Sequence, residues 1–467
     1  MKVHRADNLS VFFEPASVAI LGSLSGTQAP GYVTIKHLLD FGFQGRIYPV
    51  NPSCNQVLGM EVYPNLDHVA GPIDLAIIVI PPLAVPEIVA KCAQKGIRAI
   101  IIMSENFAEA SEDGARLQRQ VVEIARRSGV RIIGPNTIGI LNTANGLITT
   151  PYFMGYDKIQ KGSIAYCSQS GLFSNVVHPL EDLAYPISKM CDFGNKCDVN
   201  EVDLLNYLAD DPDTKVISMH LEDIKDGHAF MEAARRAVIR KPVLILKPGR
   251  SQAGAKATAS HTGSLAGHDQ VYDGAFRQVG VIRVDSLQEF WEVPRVFASQ
   301  PLPRSNRLGI VTASGGAGVL ALDAAVGAGL EIASFTAATA EKLAKLSPRM
   351  ARNPVDMGPL MTISGNPFSV PEQVLPIVMA DANVDCVALM TDWVLMQGAL
   401  PTMDTFHQLV QQSSKPATVF IYGSKQTIRE ELLRQLTAKG LATYLDLETS
   451  IKALGAAAAY SRMRARA

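Results

Sequence analysis

The chain lacks a surplus of charge. It holds 43 Lys and Arg against 44 Asp and Glu, a balance of −1, and no basic block. A nucleic-acid or membrane-surface partner therefore has no electrostatic support. No apolar run approaches the roughly 20 residues that span a bilayer. The opening MKVHRADNLSVFFEPAS has no hydrophobic core of signal-peptide length, so a cytoplasmic setting is expected. The six cysteines show no C-x-x-C spacing and no metal-ligand pattern. They read as reduced, mostly buried thiols, and no metal site is expected. A strict G-x-G-x-x-G is also missing; LGSLSGTQAPG, residues 21–31, bears glycines without that spacing and is a weak nucleotide signal.

What is present is a well-packed α/β chain. With 467 residues, 47% hydrophobic and 19% charged, two or three domains are expected. The first ~145 residues alternate apolar β-branched runs with amphipathic stretches. Strands are predicted at SVAILG (17–22), RIYPVNP (46–52), DLAIIVIPP (74–82), IRAIIIMS (97–104) and RIIGPN (131–136), with helices between them. That rhythm means a parallel, doubly wound sheet with right-handed crossovers. A second unit runs from GSIAYCSQSG (162–171) through VISMHLED (216–223) and PVLILKPG (242–249) to about Ala298. The polar, Pro-rich SQPLPRSNR (299–307) reads as a linker. LGIVTASGGAG (308–318) opens a third unit as the second opens: apolar strand, Ser/Gly turn, helix.

In such sheets ligands sit at the carboxyl ends of strands, where helix N-termini attract anions. Gly22, Ser23, Pro49, Asn51, Pro81, Ser104, Glu105, Pro135 and Asn136 lie at strand ends of the first unit. They form either a groove for an extended ligand or ordinary turn chemistry. Two further loops, Ser168-Gln169-Ser170-Gly171 and the Ser314, Gly315, Gly316, Gly318 run, could turn backbone N–H groups toward a phosphoryl group from two sides. The segment GRSQAGAKATASHTGSLAG (249–267) is nearly all Gly, Ala, Ser and Thr around His261. Small side chains build no core, so an exposed, mobile loop is expected. Imidazole is a competent phosphoryl nucleophile near neutral pH; the alternative is a surface histidine in a linker. Glu222, at a strand end, would orient that imidazole or simply be a solvated acid.

The stretch from Lys241 to Phe290 around His261 strongly resembles the phosphohistidine segment of the ADP-forming (NDP-forming) acyl-CoA synthetases, relatives of the succinyl-CoA synthetase alpha subunit. FFEPASVAILG, YPVNP, DLAIIVIPP, GVRIIGPNTIGI, SQSG, FGNKCDVNEVDLLNYLADDPDT and TASGGAGVLALDAA resemble the other blocks of that family, in its order. The resemblance implies a CoA-binding Rossmann-like domain (1–145) and two flavodoxin-like doubly wound domains (146–298 and 306–467). It implies an acid–CoA ligase that works through an acyl phosphate and a phosphohistidine at His261. CoA is the implied cofactor, with ATP/ADP and Mg²⁺ held by an ATP-grasp beta subunit or fused domain that this chain does not contain. The implied partners are thus that subunit and a carboxylic acid or acyl-CoA, in a homo- or hetero-oligomer. The alternative is a non-catalytic CoA- or acyl-CoA-binding regulatory protein of the same fold. The chain departs from the family at SENFAE (104–109), where SAGFAE is usual, so Glu105 and Asn106 stand for Ala and Gly. Thr137 stands for the usual Cys, and Ala29-Pro30 precede Gly31. These departures fall in the groove expected for CoA and the acyl group.

Overall fold

A computed structural model describes residues 9–152, 159–171, 185–262 and 268–466. It divides into two compact units, residues 1–181 with 186–285, and residues 182–185 with 286–467.

The first unit holds two large sheets. In the first, β1 (Ser17–Gly22), β2 (Arg46–Val50), β5 (Leu75–Val79), β6 (Ala99–Ile102) and β7 (Arg131–Ile133) run parallel in the order β2-β1-β5-β6-β7. The two-residue strands β3 (Gln56–Val57) and β4 (Met60–Glu61) form a separate hairpin. Beyond β2, Val50 makes a single parallel bridge to Tyr63. There the Tyr63 N–H donates to Pro49 O at 2.8 Å and the Asn51 N–H to Tyr63 O at 2.9 Å. Counting that vestigial strand, the order is the 3-2-1-4-5-6 of a dinucleotide-binding Rossmann sheet. Ala76, Ile77 and Ile78 of β5 and Ile100, Ile101 and Ile102 of β6 have no exposed surface. Central parallel strands covered on both faces by helices read as such continuous apolar runs.

The second sheet contains β8 (Ile140–Asn142), β9 (Leu147–Ile148), β10 (Gln160–Ser168), β11 (Pro186–Asp192), β12 (Val216–His220), β13 (Val243–Leu246) and β14 (Ile282–Val284). Its order is β14-β13-β12-β10-β11-β8-β9. The five strands β10 to β14 are parallel and follow the flavodoxin order. The β8–β9 hairpin extends the sheet, with β8 antiparallel to both β11 and β9. It spans residue 145, where the first domain was expected to end. Asn142 Nδ2 donates to Phe13 O at 2.9 Å, and Thr34 Oγ1 donates to Thr149 O at 3.1 Å, so the hairpin ties the two sheets together.

The second unit is built on β15 (Arg307–Thr312), β16 (Glu331–Ile332), β17 (Val355–Asp356), β18 (Cys386–Asp392), β19 (Ala417–Tyr422) and β20 (Ala442–Tyr444). The path β16-β15-β18-β19-β20 is again the flavodoxin order, and β17 pairs with β15. Helices 287–292 and 294–299 belong to this unit, ahead of the boundary expected at 298. The Phe297 ring meets the Tyr460 ring edge-on at 5.8 Å. The stretch 299–307 is no free linker. Gln300 accepts from Ala417 N at 3.1 Å and donates to Gly440 O at 2.7 Å, and Ser461 Oγ donates to Pro303 O at 2.7 Å. Its polar composition serves backbone groups at the sheet edge, which composition alone does not distinguish from solvent exposure.

The segment around His261 also departs from expectation. Residues Gln252–Thr262 form a helix. Ser251 starts it: its Oγ accepts from Gly254 N at 3.0 Å and its carbonyl from Ala255 N at 2.8 Å. Small residues build no core, but alanine is the best helix former, and Ala253, Ala255, Ala257 and Ala259 outweigh the glycine.

A candidate active-site cleft at the strand ends

β1 stops at Gly22, whose φ is +142°. A Cβ there would lie 1.9 Å from Val79 O, so only glycine lets the end of β1 approach β5 this closely. Asn51 Nδ2 donates to Gly22 O at 2.7 Å and ties the end of β2 to that of β1. Ser104 does the same between β6 and β5: its Oγ donates to Ile80 O at 2.6 Å. The Asn136 N–H donates to Ser104 O at 3.0 Å and brings in the end of β7. The helix Pro30–Asp40 then begins at Ala29 without a side-chain cap, Pro30 standing at its first position. Several residues expected in a ligand groove thus serve to join strand ends.

Beside these ends lies a cleft of about 540 Å³. Of the residues singled out in the sequence, Pro30, Glu105, Asn136, Thr137, Gln169, Ser170 and Gly171 line it. Gly22, Ser23, Pro49, Asn51, Pro81, Ser104, Pro135 and Ser168 are not on its wall. The cleft runs from strand ends of the first sheet to the loop that follows β10 in the second. In that loop Ser168 is buried, 3.1 Å from His220 Nδ1, and its Oγ accepts from Ser170 N at 3.1 Å. The Gln169 amide is engaged through both its oxygen and its nitrogen. Its oxygen accepts from the N–H groups of Glu222 (2.9 Å) and Asp223 (3.2 Å), and its Nε2 donates to Asp223 Oδ1 at 2.7 Å.

Glu222 follows β12 and is buried, not solvated. It borders a smaller cavity of about 60 Å³ with Asn195, Asp223 and Lys225. The side chain of His261 lies outside the described residues, so its pairing with Glu222 stays an expectation. The run Ser314–Gly318 belongs to the second unit. It opens the helix Gly315–Gly327, which has no side-chain cap, and there Ser314 N donates to Thr312 Oγ1 at 3.0 Å. A Cβ on Gly315 would stand 3.0 Å from Asp356 Oδ2, so a carboxylate already lies at that helix end.

Two residues on the cleft wall, Asp192 and Tyr152, and two near it, Lys196 and Asn195, were not singled out. Asp192 closes β11 at 1% exposure and lines the cleft. Its oxygens accept from Ile138 N at 2.8 Å and Gly194 N at 3.0 Å. Burial pushes its carboxyl up to about 7 against these donors, and the charge of Glu222 adds to the rise. Tyr152 faces the same space; burial, then the charges of Glu105 and Asp192, raise its phenol. Lys196 is buried and binds Glu201 at 3.0 Å and Asp223 at 2.6 Å. Burial opposes ionisation of Asp223, yet Lys196 and Gln169 hold its carboxyl below the usual range. Asn195 donates to Gln118 Oε1 at 3.0 Å and also to Glu109, linking the sheets. One signal for Asp192 was legible: an acid that ends an apolar strand just before Gly194-Asn195. Among the described residues no group of three or more His, Cys, Asp or Glu could hold a metal ion.

A Rossmann sheet feeding a flavodoxin-ordered sheet, with a cleft at their strand ends, defines a class of CoA-handling ligase folds. Residues 16–143 match the profile of a CoA binding domain, and residues 161–297 that of a succinyl-CoA ligase like flavodoxin domain. The chain is 35% identical to the acetate–CoA ligase (ADP-forming) II subunit alpha of Pyrococcus furiosus, over 93% of this chain and 94% of that one. It is 35% identical to the acetate–CoA ligase (ADP-forming) II of Archaeoglobus fulgidus, over 98% of this chain and 68% of that one. Among solved structures it is similar to the dinucleotide forming acetyl-coenzyme A synthetase 1 of Ca. Korarchaeum cryptofilum in complex with phosphate and ADP. That likeness has a TM-score of 0.87 and 28% identity over 98% of both chains. The chain belongs to the family of ADP-forming acid–CoA ligases, as its alpha portion. These relatives are named as ligases, and none supports the reading as a non-catalytic binding protein.

Proposed function

We propose that the chain carries the acyl- and phosphoryl-transfer half of the reaction ATP + carboxylic acid + CoA ⇌ ADP + phosphate + acyl-CoA. In the ligase direction an imidazole nitrogen of His261 attacks the γ-phosphorus of ATP, and ADP leaves. A carboxylate oxygen of the acid attacks the phosphohistidine, the imidazole leaves, and an acyl phosphate forms. The CoA thiolate then attacks the acyl carbon and phosphate departs. Two transfers need a nucleophile, a positioned acyl pocket and donors for the phosphoryl oxygens. Ser170 and Gly171 present the phosphoryl group to the cleft, and the strand-end groove of the first sheet takes CoA. Glu222 orients His261, and the N-terminus of helix Gly315–Gly327 is the second phosphate cradle. ATP and its Mg²⁺ reside on an ATP-grasp partner or fused domain. The setting is the cytoplasm, in keeping with six free cysteines and the absence, among the described residues, of a helix long and apolar enough to cross a membrane.

The observation that carries this reading is the cleft. It shares walls between the sheet that matches a CoA-binding domain and the SQSG loop of the succinyl-CoA ligase like domain. The test is phosphorylation. Incubated with an ATP-grasp partner and γ-labelled ATP, the chain should acquire acid-labile, base-stable label, and His261→Asn should acquire none. Label persisting in His261→Asn sinks the assignment.

A further inference from the structure

The SQSG loop and the turn that carries Glu222 leave neighbouring strands. Ser168, at the end of β10, is paired with His220, at the end of β12. The ladder ends there, with Gln169 N donating to His220 O at 3.1 Å. A side chain carries the connection further. Gln169 Oε1 accepts from the N–H groups of Glu222 at 2.9 Å and Asp223 at 3.2 Å. The acid read as the partner of His261 therefore hangs on the phosphate loop.

An amide in this place has two orientations. Turned over, its NH₂ would face those two N–H groups, donor against donor. Asp223 excludes that orientation. Its Oδ1 accepts from Gln169 Nε2 at 2.7 Å, and a carboxylate has no proton to give back. A neutral Asp223 could donate to the amide oxygen and release the lock. Lys196 opposes this: its Nζ lies 2.6 Å from the same Oδ1 and donates to Asp223 O at 2.7 Å. Glu201 Oε2, 3.0 Å away, holds the ammonium in turn. Gln169, Asp223, Lys196 and Glu201 are all more than nine-tenths buried.

The backbone at Lys196 is a separate sign. Its φ is +43°, in the left-handed region that glycine and asparagine enter most cheaply. A turn by itself is better served by glycine. A strained residue persists where its surroundings over-determine it, above all at functional sites, and here the strain keeps an ammonium beside Asp223.

We infer that Asp223 and Lys196 are positioning residues for phosphoryl transfer, acting through Gln169. They hold Glu222 and the Ser170–Gly171 donors at one fixed separation. Glu222 serves the imidazole, and the donors serve the phosphoryl group bonded to it. The two must be right together, because about 1 Å of misplacement costs about 10²-fold in rate. The inference rests on the phosphohistidine reading of His261.

The test moves a charge across the lock. Gln169→Glu sets a second carboxylate against Asp223 Oδ1. Gln169→Glu combined with Asp223→Asn restores a donor–acceptor pair, reversed, at the net charge of the parent. Full-length chains are mixed with an ATP-grasp partner, and labelling of His261 is followed over a range of γ-labelled ATP concentrations. Calorimetry gives CoA affinity, and thermal melting reports the fold. At saturating ATP, Gln169→Glu should label about 10²-fold more slowly than the parent. Its half-saturating ATP concentration and CoA affinity should stay within about twofold. The double variant should recover to within about fivefold of the parent rate. Asp223→Asn alone keeps the shape and weakens the hold on the amide. It should be about tenfold slow, and it carries the test if Gln169→Glu does not fold. Parent-rate labelling by a folded Gln169→Glu or Asp223→Asn, even with a lowered melting temperature, overturns the inference and leaves the lock a structural tie. A double variant as slow as Gln169→Glu overturns it too. A parent chain that takes no label overturns the phosphohistidine reading, and the inference with it.

Discussion

Among the described residues no cation pairs with the buried carboxyl of Asp192, which accepts from the N–H groups of Ile138 and Gly194. Its acid form is favoured by burial, which moves its pKa from 3.8 in the unfolded chain to about 7. The sign of the linkage follows. The folded state holds the proton more tightly, so the group contributes stability that is fully present below pH 3.8 and is lost as pH rises through about 7. Asparagine carries no such cost at high pH. The melting temperature of Asp192→Asn relative to the parent should therefore be more favourable at about pH 8 than at about pH 5. A difference that is flat in pH would show that the carboxyl is already ionised at low pH. Lys189 provides the contrast within the same strand. It is equally buried, but both oxygens of Asp211 lie 2.8 Å from its Nζ, so its cost is offset by its partner.

Helix starts at strand ends differ in what they present. The helix Gly315–Gly327 has no side-chain cap at Ser314, which leaves its first N–H groups for another acceptor. A Cβ on Gly315 would press on Asp356 Oδ2 at 3.0 Å, a contact that the carboxylate must yield to, whereas one on Gly316 would meet only Ser314 Oγ, at 3.9 Å. Gly316→Val should therefore fold as the parent does. If this helix end receives the phosphoryl group, the variant should slow phosphorylation of His261 by about tenfold, the cost of displacing one anion from a helix N-terminus. Parent-like phosphorylation by a folded variant would leave the Ser168–Gly171 loop as the one cradle. The helix Gln252–Thr262 makes a related point. Its sequence looks like a linker because nothing in it can be buried, but burial and helix formation are separate matters for an alanine-rich segment.

At the scale of the molecule, the chain has three doubly wound sheets in two compact units. Among the described residues a cleft of about 540 Å³ lies at the strand ends of the first two sheets. Among those residues the chain has no metal-binding cluster. Purified alone, it should bind CoA but release no ADP from ATP, acid and CoA. Addition of an ATP-grasp subunit should start acid-dependent ADP release, followed by a coupled ADP assay. Full turnover by the chain alone would mean that it contains a nucleotide site of its own.

The sequence by itself determined the strands and the class. SVAILG, DLAIIVIPP and IRAIIIMS lie in or around β1, β5 and β6 because central parallel strands must be apolar on both faces, a pattern that needs no neighbours to be read. The block around His261 pointed to the ligase family for the same reason: it is contiguous. Tertiary structure decided everything that depends on joining distant segments. The strands Ile140–Asn142 and Leu147–Ile148 are too short to carry a period, and only their pairing with β11 assigns them to the second sheet. The stretch at 299–307 looks free until Gln300 is seen to bond Ala417 and Gly440. The cleft gathers Glu105, Asn136, Gln169 and Asp192 from the ends of four strands in two sheets. No local pattern records that convergence, because it joins residues far apart in the chain whose common surroundings exist only once the sheets are assembled.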